Sequence, residues 1–278
     1  RPDAVAGRTT GPNCITEGYA SITMTVLSVN LNKVALIRNS RDTTTPSPVE
    51  FAAVAIAAGA GGITVHPRPD QRHIRVSDCL ALAQSIHVEF NIEGNPFADP
   101  MASDRASVSN YPGFMALVEA TRPAQATLVP DGNAQLTSDH GFDLRKDGNR
   151  LAPIIAQLKD WGCRVSLFMD PEPEDMALAA AIGTDRVELY TESYALAHAS
   201  GDYARVLDRF SQSAAAAHAA GLGVNAGHDL NLVNLPEFTI PHLLEVSIGH
   251  ALTVDALRFG FAESVKRYIE ALAARVSE

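Results

Sequence analysis

The residues best suited to chemistry are histidines and glutamates at the ends of short apolar runs. His66, His228 and His250 lie within about two residues of such ends, Glu93 directly follows one, and Glu188 lies inside another. An imidazole titrates near neutral pH, and burial can raise a carboxyl toward the same range. We therefore expect these groups to transfer protons if the fold brings them together. The other histidines without such a position are expected to be structural: His87, His140, His198, His218 and His242.

Glu188 allows two interpretations. If its side chain points into the interior of a sheet or barrel, burial requires that the carboxylate be paired with a cation or a hydrogen-bond donor. If it points toward the helices, it is a structural salt-bridge partner.

Glycines and arginines near the same run ends indicate an anionic substrate. Gly227 and Gly249 lie beside the last two runs, where backbone N–H groups can approach an anion closely. Arg41 and Arg68 add positive charge, and the planar guanidinium suits phosphate or carboxylate. A small phosphorylated molecule is therefore the expected ligand.

These residues need a framework in which several strand ends meet, and the chain predicts one. Short β-branched and aliphatic runs alternate with longer Ala- and Leu-rich stretches of helical spacing. The predicted strands are residues 25–29, 62–65, 88–92, 126–129, 164–168, 186–190, 222–225 and 244–248. Eight such units predict a single-domain α/β protein, a (β/α)8 TIM barrel with its site at the carboxyl ends of the strands. A doubly wound open sheet is the alternative.

Several of the intervening segments end in a glycine, which commonly follows the C-terminus of a helix. These predicted helices are residues 48–59, 151–162, 173–183 and 203–221. Two connections, residues 94–113 and 130–143, are unusually long and leave the same face of the barrel. The second is expected to be an active-site lid. The first is either a functional excursion or an insertion without a role.

The composition favours one acidic, soluble domain. The chain has 278 residues, of which 46% are hydrophobic and 19% charged, with a net charge of −10. This charge argues against nucleic-acid binding, and no apolar stretch approaches the roughly 18 residues of a membrane span. The three cysteines lack C-x-x-C spacing, which favours a reducing cytoplasm. Residues 1–23 are predicted to be a tag-like or disordered leader before the barrel of residues 24–278, although a packed natural extension is the alternative.

Longer motifs follow one another in order from about Met24 to the C-terminus. They are VNLNKVALIRNSR (29–41), AGAGGITVHPRPDQRHI (58–74), FNIEGN (90–95), LVPDGNAQLTSD (128–139), RVSLFMDP, RVELYT, GLGVNAGHDL (221–230) and LEVSIGHAL. Together they resemble the pyridoxine 5'-phosphate synthase family of vitamin B6 biosynthesis. Only the leader and residues 94–113 are additional to this resemblance.

The resemblance implies a (β/α)8 barrel, usually a homo-octamer, that condenses 1-deoxy-D-xylulose 5-phosphate with 3-amino-2-oxopropyl phosphate. Pyridoxine 5'-phosphate, inorganic phosphate and water are the products, and the family uses neither a metal nor an organic cofactor. It implies that His66 is an acid and base, Glu93 a base, His228 a proton donor and Glu188 a transition-state stabiliser. The implied phosphate-binding residues are Asn30, Arg41, Gly249 and His250 for the aminoketone, and Arg68, His73 and Thr137 for the deoxyxylulose phosphate.

Three positions at the expected substrate site depart from the best-known members of that family. Those members have Asp and His where this chain has Asn32 and Lys33, and Gly where it has Asp229. A carboxylate beside a phosphate weakens binding unless it is paired, so we hypothesise an ion pair between Lys33 and Asp229. Alternatively, Lys33 itself forms a Schiff base with substrate, which requires a depressed pKa.

Two other functions stay open from the sequence. One is a metal-dependent lyase or hydrolase with His66, Glu93, His228 and His250 as ligands. Against it, the first strand ends in Asn30-Leu31-Asn32, where metal-dependent hydrolase barrels commonly have His-x-His. The other is a barrel that binds a phosphorylated ligand without turnover, because a fold alone does not establish catalysis.

Overall fold

The chain forms a closed barrel of parallel strands surrounded by helices, which confirms the predicted single-domain (β/α)8 fold. The computed structural model describes residues 25–132 and 135–275, so the predicted leader at 1–23 lies outside the described residues. The elements are β1 (Val26–Asn30), α1 (Asn32–Asn39), α2 (Pro48–Ala57), β2 (Gly62–Val65), α3 (Val76–Ser85), β3 (Glu89–Gly94), α4 (Phe114–Thr121), β4 (Gln125–Leu128), α5 (Leu144–Asp160), β5 (Arg164–Met169), α6 (Met176–Ala181), β6 (Arg186–Tyr190), α7 (Glu192–Ser200), α8 (Ala204–Ala219), β7 (Gly223–Gly227), β8 (Leu243–Ile248), α9 (His250–Phe259) and α10 (Phe261–Ala274). Each strand pairs with the next, and β8 returns to β1.

The predicted strands all occur, with boundaries that shift by two residues or fewer. The predicted helices also occur, but α5 begins earlier than expected, at Leu144, and a short 3-10 turn at Pro173–Asp175 precedes α6. The α2 segment shows how the sequence sets the ends of a helix. The Ser47 hydroxyl accepts a hydrogen bond from the Glu50 N–H, and Gly59 follows the helix at a φ of 108°.

Alternation along β3 separates the helix-facing side of the barrel from its interior. Phe90 and Ile92 belong to the apolar core between strands and helices. Asn91 lies between them and points inward, where it accepts a hydrogen bond of 2.9 Å from the Thr127 hydroxyl of β4. Because side chains alternate along a strand, Glu93 faces the same interior at the carboxyl end.

The barrel interior is polar, which the sequence analysis did not predict. Barrels of this class usually fill their interior with branched apolar side chains. Here the hydroxyls of Ser28 and Thr64 lie 2.7 Å apart at mid-height. A set of charged and amide side chains, which we term the charged floor, lies at the first residues of β3 to β6 and at the third residues of β7 and β8: Glu89, Gln125, Arg164, Arg186, Asn225 and Glu245.

Ion pairs hold the charged floor together. Arg164 hydrogen-bonds Glu89 and also donates to the Gln125 carbonyl at 2.9 Å. Arg186 donates to Asn225 at 3.0 Å and lies 3.4 Å from a Glu245 oxygen. The polar interior is therefore satisfied mainly by strand-to-strand contacts at this end.

Both long loops leave the carboxyl face of the barrel, as predicted. Residues 94–113 pack against the molecule: Tyr111 is buried, and Met101 and Tyr111 form an antiparallel bridge. Residues 130–143, which we term the lid, are fixed at their second end, where the Phe142 N–H donates to the Phe168 carbonyl at 3.0 Å. A Cβ on Gly141 would lie 2.3 Å from the Asp170 nitrogen, so this position requires glycine.

No helix within residues 25–132 and 135–275 has the length and apolar character required to cross a membrane.

Candidate functional site

A cavity of about 340 Å³ opens at the carboxyl ends of the strands. All predicted site residues except Arg41 line it. They are Asn30, Asn32, Lys33, His66, Arg68, His73, Glu93, Thr137, Glu188, His228, Asp229, Gly249 and His250. The fold thus brings together side chains from the ends of most strands, from the lid and from the first turn of α9.

Arg41 is the exception. It lies in the turn after α1, exposed to solvent, and is not among the residues that line the cavity. The buried arginine of this segment is Arg38, whose guanidinium binds both carboxylate oxygens of Asp78 at 2.6 and 2.9 Å. The role of Arg41 in phosphate binding therefore stays a prediction that no contact within this chain supports.

His66 and Glu93 meet inside the cavity. The His66 Nδ1 atom lies 3.8 Å from a Glu93 oxygen, and the Asn30 amide approaches the same oxygen at 3.4 Å. The Asn32 side chain accepts a hydrogen bond of 2.8 Å from the His66 backbone N–H, which fixes the end of β2. Burial, together with Arg68, Arg72 and His228, lowers the pKa of His66 to about 3, so its ring is neutral at neutral pH.

The two carboxyls that face the cavity have no cation beside them. Burial and then the neighbouring acids Glu188, Asp131 and Glu245 raise the pKa of Glu93 well above its usual value. Burial also raises the pKa of Glu188 to about 7, against the opposing effect of His228. The Glu188 Oε2 atom is buried without a hydrogen-bond partner. Glu188 therefore points inward, and the alternative of a helix-facing salt bridge is wrong.

Gly227 provides the space that Glu188 needs. A Cβ at this position would lie 2.2 Å from the Glu188 Oε1 atom, so a larger residue would displace the carboxyl. In the pairing of β6 with β7, Tyr190 lies opposite Gly227 and Glu188 lies two residues before Tyr190, so Glu188 and Gly227 are diagonal neighbours. The glycine thus serves the carboxyl pocket, in addition to any role in anion binding.

Arg68 is bound to the lid. Its guanidinium contacts Asp131 Oδ2 at 2.5 Å and the Gln135 carbonyl at 2.8 Å, and the Ser138 hydroxyl donates to the same Asp131 oxygen. Sequence reasoning missed Asp131, because an aspartate in a Pro-Asp-Gly segment is typical of a turn. An anionic ligand of Arg68 must therefore compete with the Asp131 carboxylate.

His228 contacts two other predicted site residues. Its Nδ1 lies 2.7 Å from Asp229 Oδ2, and its Nε2 lies 2.9 Å from the Thr137 hydroxyl of the lid. The hypothesised ion pair between Lys33 and Asp229 is wrong, since no salt bridge joins them within the described chain and Asp229 binds His228 instead. The reason is geometric: Asp229 directly follows His228 and folds back onto its ring.

The remaining predicted residues surround these groups. His73 is buried with its ring 6.3 Å from that of His66, and its Nδ1 accepts the Ile74 N–H. Gly249 precedes α9, where a Cβ would lie 3.0 Å from Asn30. The free N–H groups of the first turn of α9 suit an anion.

The described residues offer no group of three or more His, Cys, Asp or Glu side chains arranged to hold a metal ion. A larger groove of about 570 Å³ lies beside the cavity near α8, but its Arg209 is paired with Glu172 and Glu174. Unlike the cavity, it is not lined by any histidine of the described chain.

Similar proteins agree with this picture. A family model described as Pyridoxal phosphate biosynthesis protein PdxJ matches residues 27–274. A protein of Xanthomonas campestris pv. campestris named Pyridoxine 5'-phosphate synthase is 56% identical over 254 residues, covering 90% of this chain and 96% of that protein. A protein of the same name from Xylella fastidiosa is 52% identical over 253 residues, covering 89% and 95%.

Solved structures support the fold alone. The tryptophan synthase alpha chain of Legionella pneumophila subsp. pneumophila aligns with a TM-score of 0.60 at 10% identity, covering 92% of this chain and 94% of that one. Phosphoribosyl anthranilate isomerase of Thermus thermophilus aligns with a TM-score of 0.51 at 15% identity, covering 90% and 99%.

Proposed function

Because the chain belongs to the family of pyridoxal phosphate biosynthesis protein PdxJ, we propose that it is a pyridoxine 5'-phosphate synthase of the transferase class. The proposed reaction condenses 1-deoxy-D-xylulose 5-phosphate with 3-amino-2-oxopropyl phosphate, and releases inorganic phosphate and water. The observation that carries the proposal is the convergence of His66, Glu93, Glu188 and His228 in one cavity.

The charges of the cavity match two phosphorylated substrates. Cationic or N–H groups line it, in Lys33, in Arg68 and in the first turn of α9, together with the carboxyls of Glu93 and Glu188. Phosphates on the cationic and N–H groups would leave the carbon skeletons of both substrates facing the carboxyls. We assign Arg68, His73 and Thr137 to one phosphate, and Asn30, Gly249 and His250 to the other.

The protonation states suit a reaction with several proton transfers. A carboxyl whose pKa is raised is a strong base when ionised and releases the proton again near neutral pH. Glu93 thus takes a proton from a substrate, and neutral His66 at 3.8 Å accepts or returns another. Glu188 holds the charge that develops during ring closure, and His228 donates to a leaving oxygen. Asn32 keeps His66 in place through its backbone.

The test is to incubate the purified protein with both substrates and to measure pyridoxine 5'-phosphate by mass spectrometry. We expect product and an equal amount of phosphate, with no loss after dialysis against a chelator. Loss after chelation and recovery with metal would favour the lyase or hydrolase. Tight substrate binding without product, by a folded protein, would overturn the synthase and favour the non-catalytic barrel.

The proposal extends to a homo-octamer in the cytoplasm. Large exposed apolar side chains support assembly, since Val233 is 73% and Leu257 is 80% exposed. Light scattering on the eluted protein should give eight times the chain mass of 29.6 kDa.

A further inference from the structure

The segment after β7 has an unusual backbone at the site. His228 and Asp229 both adopt left-handed conformations, with φ of 82° and 58°. The Thr191 hydroxyl binds the Gly227 carbonyl at 2.8 Å, and the Asn234 amide donates to the Asp229 carbonyl at 3.2 Å. The left-handed turn is thus fixed by contacts to its backbone, independently of the Asp229 side chain.

Glycine adopts this backbone more freely than aspartate, which is among the few other residues found in it. The Asp229 side chain adds a contact that glycine would lack. Its contact is with the His228 ring, through the distance of 2.7 Å between Asp229 Oδ2 and His228 Nδ1. The hydrogen bond from His228 holds the pKa of Asp229 below its usual range, so the group is a carboxylate at neutral pH.

We propose that Asp229 is a positioning residue for the proposed reaction, which orients the His228 ring so that Nε2 faces the substrate. This inference rests on the proposed function, because it assigns Asp229 to the same reaction. An acceptor at Nδ1 fixes the proton on that nitrogen and leaves Nε2 directed at the lid hydroxyl of Thr137 and at the cavity.

The groups around His228 agree with this role. Tyr190 of β6 packs its ring edge-on at 5.1 Å and cannot supply a negative charge at neutral pH, because burial raises its pKa. Glu188 lies behind on the same strand, His66 faces His228 from the end of β2, and His250 faces Asp229 from α9. Glu188 forms no hydrogen bond to the ring. The Asp229 carboxylate is therefore the anion in direct contact with His228.

The pairing gives the two histidines of the site different surroundings. His66 is buried, its neighbouring Arg68 and Arg72 oppose a second positive charge, and its pKa is lowered to about 3. His228 is less buried and has a carboxylate on Nδ1. The Asp229 contact thus distinguishes the His228 ring from that of His66.

The test compares Asp229→Asn and Asp229→Gly with wild type in steady-state kinetics across pH. Both changes should lower kcat by about 10-fold or more, while KM changes by less than about 3-fold. Unchanged kcat in both variants would overturn the proposal.

A matched control separates the side chain from the backbone. His242 has the same φ of 58° but lies at the amino-terminal end of β8, away from the cavity. Asp229→Gly and His242→Gly both place glycine at a left-handed position, and His242→Gly also removes the stacking of its ring on His218 at 3.7 Å. Only Asp229→Gly should lower kcat. Equal kcat losses in the two variants would contradict a role for the carboxylate.

A second measurement decides the inference even if the protein makes no pyridoxine 5'-phosphate. Nitrogen-15 NMR of the histidine rings gives the tautomer of His228 without substrate. Asp229→Gly should lower the population of the tautomer with hydrogen on Nδ1, because the acceptor at that nitrogen is gone. Failure to form product in wild type would reject the proposed function, whereas an unchanged tautomer would reject the pairing itself.

Discussion

Two glutamates on one strand of the barrel have different partners. Glu89 and Glu93 both point inward from β3, one at each end. Glu89 is bound by the Arg164 guanidinium in the charged floor. Glu93 has only the Asn30 amide at 3.4 Å and the neutral His66 ring, and its pKa is raised well above the usual value. Strand β6 also joins the two regions, because Arg186 belongs to the charged floor and Glu188 lines the cavity.

The comparison shows how a cation partner changes the surroundings of a buried carboxyl. A carboxylate that contacts an arginine links neighbouring strands, whereas a carboxyl buried without a cation is costly to ionise, so its pKa rises. Glu245 of the charged floor combines the two cases, because it lies 3.4 Å from Arg186 and burial still raises its pKa to about 8. One polar interior therefore supplies both a structural network and a reactive one.

The largest expected effect is on the rate. Glu93→Gln should lower kcat by about 10³-fold, because the amide cannot accept a proton. Its free energy of unfolding should be unchanged or higher, since no buried acid has to ionise. Glu89→Gln is the matched control from the same strand and should retain kcat within about 2-fold. Rate assays and denaturant unfolding on the same preparations check both. A similar kcat loss in Glu89→Gln would break the comparison.

The next effect is on the pH dependence of stability. The folded pKa of Glu188 is raised from 4.5 to about 7, so its folded form binds more protons than the unfolded chain between those values. Wild type should therefore lose unfolding free energy as pH rises from 4.5 to 7, on the order of 3 kcal/mol from this group. Glu188→Gln should lack that loss. Denaturant unfolding at fixed protein concentration from pH 4.5 to 8 checks it, and parallel curves for the two proteins would contradict it.

A smaller loss is expected in the charged floor. Arg164→Met leaves Glu89 and the Gln125 carbonyl without their donor, and should cost about 2 kcal/mol of stability at pH 7. The double variant Glu89→Gln with Arg164→Met should recover part of it. The kcat of the folded protein should stay unchanged, because the floor does not reach the cavity. A fall in kcat with an unchanged free energy of unfolding would show that the charged floor takes part in the reaction rather than in stability.

The smallest effect sets the baseline for removing a charge. Glu119 pairs with Arg122 at 3.8 Å on the surface, with both side chains about half exposed. Glu119→Gln should change stability by less than about 0.5 kcal/mol and leave kcat unchanged. Thermal unfolding of this variant beside Arg164→Met tests whether burial makes the difference. Equal destabilisation of the two variants would contradict the claim that burial in the charged floor increases the cost of losing a charge.

The sequence predicted the framework better than the interior. The strands and the helix-ending glycines follow from local periodicity, and strand ends then place His66, Glu93 and His228 together. The polar floor was missed because alternation along a short strand such as Arg164–Met169 does not show whether the second face meets helices or other strands. The partner of Asp229 was also missed, since a backbone turned left-handed at two residues has no periodic signature.

The lid is anchored at its second end by Gly141 and by the N–H of Phe142, and its first end continues directly from β4. The position of the lid is therefore set by the barrel at both ends. Between those ends, the Asp131 carboxylate and the Gln135 carbonyl occupy the Arg68 guanidinium. An anion that binds Arg68 has to displace two oxygens of the lid and none of the strand backbone.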